Sequence, residues 1–167
     1  MKSFRWTFAI IGIVGALLVF TIFDYKRSTK QNEQKERAKN ILHFSSDLLV
    51  KAEVESNTKS AIVLEKKDGK WNIVAPIADA ADQQAVSSLL LSLTSEKAVE
   101  TVSDVENADL RAFGLNEPVN RLKVITVDGK SQILKIGSIK AYDGNLYAQS
   151  EGEKPVLLIS SNWQAHL

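Results

Sequence analysis

Cysteine is absent from this chain, and histidine occurs only as His43 and His166. The absence of cysteine excludes disulfide bonds, thiolate metal sites and lipid attachment at an N-terminal cysteine. The two histidines belong to no Ser-His-Asp pattern, and no Gly-x-x-x-x-Gly-Lys phosphate-binding loop occurs. We therefore expect a protein that is not an enzyme, with no catalytic residue, no bound cofactor and no metal site.

Charge is divided unevenly along the 167 residues. The segment up to Lys39 contains 8 Lys and Arg against 3 Asp and Glu, whereas the remainder contains 13 against 17. The mildly acidic remainder lacks the basic patch that binds nucleic acid, so nucleic acid is not an expected partner. The basic residues flank an apolar segment instead, which suggests lipid headgroups as their neighbours.

The apolar segment runs from Trp6 to Phe23, 18 residues without a charge. As a helix it would be roughly 27 Å long, close to the thickness of the hydrocarbon core of a bilayer. A cleaved signal peptide is the alternative, but no small-x-small cleavage site follows the segment. We expect residues 1–23 to be an uncleaved transmembrane anchor that contacts the bilayer through Trp6 to Phe23. Gly12 and Ala16 form a small-xxx-small pair, a candidate contact for another membrane helix, although small residues are common in lone anchors too.

Residues 24–40 are polar and contain neither proline nor glycine. Glu33 and Arg37 stand four residues apart, which favours a helical stalk, with a disordered linker as the alternative. Six Lys and Arg follow the apolar segment, and only two precede it. Counting positive charges alone would keep the C-terminal portion in the cytoplasm, but the residues by themselves leave the orientation open.

The rest of the chain reads as short strands separated by turns. Residues 60–74 and 121–137 each contain two alternating runs around an Asp-Gly pair, Asp68-Gly69 and Asp128-Gly129. Asp-Gly favours a type I′ turn, in which both central residues have positive φ. Further strands are expected within residues 47–55, 142–149 and 154–160. Such closely spaced hairpins predict an antiparallel sheet, because parallel strands need long crossovers.

A strand passes into a helix between Trp71 and Leu93. Pro76 cannot donate to a strand ladder, so we expect the strand to end there. Asp82 is the expected N-cap of a helix from about Gln83 to Leu93, with Asp79 as the alternative cap. An apolar face is expected to pack on the sheet, formed by Val86, Leu89, Leu90 and Leu93. Since no partner acid, base or metal ligand stands nearby, a structural role for these carboxylates is favoured over a catalytic one.

A second, shorter helix is predicted to end at Gly114. Glycine suits the left-handed position after a helix, and Leu115 would fold back on Leu110 in a Schellman motif. Pro118 prevents continuation of the helix and precedes the next strand. The predicted fold class is therefore α+β, an antiparallel sheet built from hairpins with one main helix packed on it and a short second helix, preceded by the transmembrane helix.

Other features favour structural roles. Asp143-Gly144-Asn145 fits a turn better than a calcium loop, because no series of ligands follows it. Ser160 or Ser161 is a candidate cap for a further helix at the C terminus. Four aromatic residues are candidates for lining a ligand groove, but as sheet and core residues they need no such role: Trp71, Tyr142, Tyr147 and Trp163.

Together these motifs resemble the pattern of the DUF4340 family, whose members share a domain of unknown function. The family pattern has a Trp before a Pro, an Ala-Asp that opens a helix, a Tyr-Gly-Leu-x-x-Pro turn, and later an Ile-Gly and a Tyr. Phe113 replaces the tyrosine of the turn, and the resemblance covers about residues 40–160. The matching positions are Trp71, Pro76, Ala81, Asp82, Gly114, Leu115, Pro118, Ile136, Gly137 and Tyr147.

The resemblance implies a bacterial envelope protein with an N-terminal anchor and an extracytoplasmic domain, here residues 41–167. It decides the orientation against the count of positive charges, and it implies a single-pass protein of the inner membrane. Family members often accompany ABC transporters of the gliding-motility kind, so a transporter permease or a companion auxiliary subunit is the expected partner. Because members are often longer, either a short member or one truncated at its C terminus is expected.

Two function classes follow. The first is a non-enzymatic accessory subunit of an envelope complex, acting through protein–protein binding. The alternative is an extracytoplasmic glycan- or lipid-binding module that the same anchor holds at the membrane. Pairing at an edge strand would favour the first, and a deep aromatic-lined pocket would favour the second.

Overall fold

The computed structural model describes residues 39–102 and 107–165. The expected anchor from Trp6 to Phe23, its Gly12–Ala16 pair and residues 24–38 of the expected stalk lie outside these ranges. No helix within the described ranges is both long enough and apolar enough to cross a membrane.

The described residues form one nine-stranded sheet and one α-helix. The strands are β1 (Leu49–Ser56), β2 (Ile62–Lys67), β3 (Lys70–Ala75), β4 (Asp79–Ala80), β5 (Glu100–Val102), β6 (Asn120–Thr126), β7 (Ser131–Lys140), β8 (Leu146–Ser150) and β9 (Val156–Ile159). Helix α1 is Gln83–Ser95, and 3-10 helices span Ser46–Leu48, Asn107–Phe113 and Ser161–Ala165. The strand order is β4-β3-β2-β1-β6-β7-β8-β9-β5. Every neighbouring pair is antiparallel, which confirms the α+β prediction for these residues.

Helix α1 covers one face of the sheet. It joins β4 at one edge to β5 at the other, so the connection has to cross the sheet between them. Strand residues of alternate positions and the apolar side of α1 bury their side chains there, with Leu122, Leu134, Ile159 and Trp163 almost fully buried. The opposite face, which we call the outer face, carries the intervening residues, among them Glu53, Glu55, Arg121, Lys123 and Lys135.

The two hairpins expected at Asp-Gly pairs differ from each other. At the β2–β3 turn both Asp68 (φ 52°) and Gly69 (φ 78°) have positive φ, which confirms the type I′ prediction. The prediction is wrong for the β6–β7 turn, where Gly129 has positive φ but Asp128 does not. There the N–H of Thr126 binds the carbonyl of Lys130, closing a loop of the three residues 127–129. The Thr126 hydroxyl also binds Asp128 and the Lys130 carbonyl, which stabilises this longer loop instead of a two-residue turn.

Three further details differ from or add to the expectations. Helix α1 extends two residues beyond Leu93, to Ser95, where Thr94 and Ser95 bond back to carbonyls of the preceding turn. Strands β4 and β5 were not predicted, since each is too short to show alternation. The expected second helix is a 3-10 helix.

The two ends of the sheet are distinct surfaces. The entry end is where the chain from Lys39 reaches β1, and it also contains the β2–β3, β6–β7 and β8–β9 connections. The far end contains four loops of the described residues, 57–61, 76–78, 114–119 and 141–145. The antiparallel register assigns each loop to its end, because Ser56 pairs with Asn120 at the far end and Leu49 pairs with Thr126 at the entry end.

Candidate functional site

The motif positions from Gly114 to Tyr147, here called the second group, lie at the far end around β7 and β8, with Gly137 and Tyr147 on the outer face. Gly137 has no room for a side chain, because a Cβ there would lie 2.1 Å from the carbonyl oxygen of Phe113. The N–H of Ser138 donates to the Gly114 carbonyl at 3.3 Å. The ring of Phe113 meets the ring of Tyr147 edge to face, with centroids 4.8 Å apart. These motif positions therefore hold the loop after the 3-10 helix against β7 and β8.

Gly114 ends the 3-10 helix as predicted. Its φ is +68°, its N–H binds the carbonyl of Arg111, and the N–H of Leu115 binds the carbonyl of Leu110. This pair of hydrogen bonds is the Schellman arrangement, and Leu115 is buried.

The first group of motif residues, Trp71, Pro76, Ala81 and Asp82, surrounds the start of α1. Strand β3 ends at Ala75, before Pro76, and Trp71 is buried in the core. Gln83 accepts the N–H of Trp71 at 2.7 Å and donates to the carbonyls of Trp71 and Ala81, at 2.8 Å each. This side chain thus occupies hydrogen-bonding positions on β3 that a neighbouring strand would otherwise fill.

Asp82 is the N-cap of α1. Its carboxylate accepts from the N–H groups of Gln84 at 2.9 Å and Ala85 at 3.0 Å, which confirms the expected cap. The alternative cap, Asp79, belongs to β4 and accepts the N–H of Ala80. Val86, Leu90 and Leu93 are buried, and Leu89 packs partly buried against the core.

Two grooves open at the far end on either side of Asn116 and Glu117. The larger, about 600 Å³, is lined by Glu55, Ser56, Asn57, Ala61, Asn116, Glu117, Pro118, Val119 and Arg121. The smaller, about 350 Å³, is lined by Arg111, Gly114, Asn116, Glu117, Ser138 and Ile139. Asn57 holds the two loops together, donating from its side chain to the Pro118 carbonyl at 3.0 Å and from its backbone to Val119 at 3.1 Å.

Exposed apolar side chains are concentrated at the same end. Of the ten large hydrophobic residues exposed among the described residues, six lie in far-end loops or in the strand ends beside them. They are Ile62, Val74, Ile77, Val119, Ile139 and Tyr142. Of the other four, Leu48 and Val127 lie at the entry end, Leu91 lies on α1, and Val99 directly precedes β5.

The aromatic residues do not come together in a groove. Trp71 and Trp163 are core residues, Tyr147 contacts Phe113, and Tyr142 is fully exposed. Asp143-Gly144-Asn145 is a turn, in which Asp143 accepts from the backbone of Asn145 at 3.1 Å. Within the described ranges, no group of three or more acidic or histidine side chains is placed to hold a metal ion.

The segment that enters the domain is bound by a buried amide. Gln132 donates to the Ile41 carbonyl at 3.0 Å and to the Ser150 hydroxyl at 2.7 Å, and it accepts the N–H of His43 at 2.9 Å. Sequence reasoning missed this residue and Gln83. A signal was present for Gln132, because it occupies an inward position of β7 in the same alternation as Leu134 and Ile136.

Exposed ion pairs lie on the outer face and at the entry end. Lys135 binds Glu151 at 2.8 Å, and this hydrogen bond lowers the pKa of Glu151. Lys130 binds Asp128 at 2.7 Å and, with the Thr126 hydroxyl, lowers the pKa of Asp128 to about 2. His43 lies 3.0 Å from Glu153, on the surface beside the entering segment.

The family model described as "Domain of unknown function (DUF4340)" matches residues 71–165. The match begins at Trp71 and spans both groups of motif residues, which confirms the family that the motifs indicated. No protein of curated function and no solved structure shows significant similarity to the chain.

Proposed function

Since the chain belongs to the DUF4340 family, we propose that it is a non-enzymatic accessory subunit of a bacterial envelope complex linked to an ABC transporter. In this proposal residues 1–23 anchor the protein in the inner membrane and the domain lies outside the cytoplasm. The far end of the sheet binds a membrane-protein partner, either a transporter permease or a companion auxiliary subunit.

The proposal depends on one observation, the concentration of exposed apolar side chains around two open grooves at the far end. Ile77 is 76% exposed although it is aliphatic, and it lies two residues beyond the end of β3. Large apolar residues set among polar ones are typical of protein-binding surfaces, in which an apolar centre is surrounded by a polar rim. Asn116, Glu117 and Arg121 supply such polar groups beside Val119.

The grooves do not favour the glycan- or lipid-binding alternative. No aromatic residue lines either far-end groove, whereas sugar rings and acyl chains are bound by aromatic and aliphatic walls. Both grooves are also partly open to solvent, unlike the enclosed sites that bury most of a small ligand.

The attachment of the entering segment supports an anchored role. The backbone of Ala98 donates to Lys39 at 2.7 Å, and Gln132 binds the segment at Ile41 and His43. These bonds join the first described residues to the sheet core, so a load on the N-terminal segment would reach the sheet directly.

Site-specific photo-crosslinking in membranes tests the binding surface. A photoreactive residue at Ile77, Val119 or Tyr142 should crosslink one and the same membrane protein, identified by mass spectrometry as a transporter component. The same residue at Leu48 or Val127, exposed at the entry end, is the matched control. Crosslinks from the control positions alone, or none from the far end, would contradict the proposal.

A reporter fusion tests the location separately. An enzyme that is active only outside the cytoplasm, fused after His166, should be active in cells that express the full chain. Activity only from a cytoplasmic reporter at the same position would show that the basic residues after Phe23 decide the orientation instead.

A further inference from the structure

The outer face carries an acidic column beside a basic one. Glu53 and Glu55 lie on β1, and their direct register partners on β6 are Lys123 and Arg121. All four side chains line one groove of about 280 Å³, which shows that they share a face. The four are half-buried or exposed, so their charges are open to a partner.

These charges are not consumed by ion pairs within the domain. On the same face Lys135 is paired with Glu151, and the charge of Arg121 also lowers the pKa of Glu151. No ion pair or hydrogen bond of the described residues joins Glu53 or Glu55 to Lys123 or Arg121. Opposite charges directly across two strands attract each other only weakly when both are solvated. Each column therefore keeps most of its capacity to attract a column of opposite charge.

We propose that two copies of this chain associate through their outer faces, with each acidic column against the basic column of the other copy. A two-fold axis parallel to the strands, midway between β1 and β6, places the acidic column of one copy opposite the basic column of the other. It keeps every residue at the same height along the strands. Glu53 then faces Lys123 of the partner subunit, and Glu55 faces Arg121 of the partner subunit. An isologous interface has to be self-complementary, and strands of packed sheets commonly align in this way. The contact is centred on β1 and β6, because the loop after the 3-10 helix covers the outer face of β7 and β8 at the far end.

The charge pattern favours this axis over the alternative two-fold axis in the plane of the interface, which runs perpendicular to the strands. An axis perpendicular to the strands would place β1 over β1, so that Glu53 faced Glu55 of the partner subunit and Lys123 faced Arg121 of the partner subunit. The strand-parallel axis also leaves both entry ends on one side and both far ends on the other. Two chains anchored in one bilayer need that arrangement, a consequence that rests on the proposed anchoring.

Half-buried aliphatic side chains adjoin the columns. Ile125 follows Lys123 on the same face of β6, and Ile133 is the register partner of Lys123 on β7. Ile125 and Ile133 supply apolar surface around the charged centre of the interface, and the charged columns by themselves supply none.

Two charge variants of the full chain test the dimer. Glu53→Lys/Glu55→Lys makes both columns basic, and Arg121→Glu/Lys123→Glu makes both acidic. Wild type, purified in detergent, should sediment as a dimer whose dissociation constant rises as salt is raised. The dissociation constant for self-association of each variant alone should be higher than that of wild type by roughly a hundredfold or more. An equimolar mixture of the two variants should restore a dimer containing one copy of each. A monomeric wild type, or a mixture that stays monomeric while both variants melt as folded proteins, would overturn the proposal.

Crosslinking provides a second measurement that does not depend on the stability of the double variants. Because the chain has no cysteine, Glu53→Cys in one tagged copy and Lys123→Cys in a differently tagged copy offer one thiol each. A bismaleimide that spans about 10 Å should join the two tags. Val127→Cys at the entry-end hairpin, paired with Lys123→Cys, is the control and should give no crosslink between the two tags. Absence of the first crosslink would contradict the face-to-face arrangement, and because only purified chain is used, this failure is separate from failure of the partner-binding proposal.

Discussion

At the scale of single residues, polar side chains bind backbone groups at the points where elements begin, end or meet. Asp82 accepts two N–H groups at the start of α1, Gln83 binds Trp71 on β3, and Gln132 binds the entering segment. Each satisfies backbone groups that the start of a helix or the interior of the domain would otherwise leave without a protein partner. The acidic residues around the β3–α1 joint therefore have a local explanation without catalysis.

Replacement of Asp82 separates capping from chemistry. Asp82→Asn should leave the free energy of unfolding nearly unchanged, because asparagine caps about as well, whereas Asp82→Ala should cost about 0.5–2 kcal/mol. Thermal melts of both variants measure this difference. If Asp82→Asn abolished a cellular phenotype of the protein while its melt stayed unchanged, the structural role would be wrong.

Asp128 should titrate near pH 2. The hydrogen bond from Lys130 is the largest cause of its lowered pKa, so Lys130→Met should move the NMR titration midpoint of the carboxyl group up toward its ordinary value. Because the folded-state pKa lies below the unfolded one, the contribution of this carboxylate to stability is present above about pH 4 and is lost as pH falls through 2. An unchanged midpoint in Lys130→Met would show that the Thr126 hydroxyl dominates.

Gly137 should tolerate no side chain. Gly137→Ala would place a Cβ 2.1 Å from the Phe113 carbonyl oxygen, so the loop has to move away from β7. A cost of about 1–3 kcal/mol is expected, as for overpacking elsewhere, and denaturant unfolding measures it. Ser138→Ala, at the exposed neighbouring position, is the control and should have little effect. Equal stability of the two variants would mean that the loop does not pack closely on β7.

At the scale of elements, α1 is held by its apolar side rather than by its own propensity. Its sequence is rich in serine, which is a weaker helix former than alanine or leucine, and its cap is a single aspartate. Val86, Leu90 and Leu93 are buried against the sheet, so packing supplies most of the stability of the helix.

Two adjacent leucines of α1 should behave differently. Leu90 is 2% exposed and Leu91 is 59% exposed. Leu90→Ala should therefore lower the free energy of unfolding by about 2–5 kcal/mol, while Leu91→Ala should change it by less than about 0.5 kcal/mol. Chemical denaturation of both variants is the measurement, and similar values for the two would show that the helix presents a different side to the sheet.

At the scale of the whole molecule, the domain should fold without the N-terminal segment. Residues 39–167 form one compact unit, and the core cluster draws on both halves of the sheet and on α1. A fragment of residues 40–167 should give a circular dichroism spectrum dominated by strand with some helix, and one cooperative melt. A spectrum of disordered chain would show that the first 39 residues are part of the folding unit.

Much of this fold could be predicted because its signals are local. The Asp68-Gly69 turn, the strand end at Pro76, the Asp82 cap and the Schellman turn at Gly114 all follow from the backbone preferences of a few adjacent residues. The second Asp-Gly turn could not be predicted, since Thr126 and Lys130 favour a longer loop through bonds that the pair itself does not reveal.

The sequence by itself determined the family, the α+β class, the hairpins and the apolar side of α1, because alternation, helical spacing and turn residues act over short distances. Only the tertiary structure decided the strand order, the short edge strands β4 and β5, and the meeting of Gly114 with Ser138 and of Phe113 with Gly137 and Tyr147. It alone also gathered Ile62, Ile77, Val119 and Tyr142 at one end of the sheet. These features depend on pairings between residues distant in the chain, and such pairings are chosen by the packing of the whole sheet against its helix rather than by any local preference.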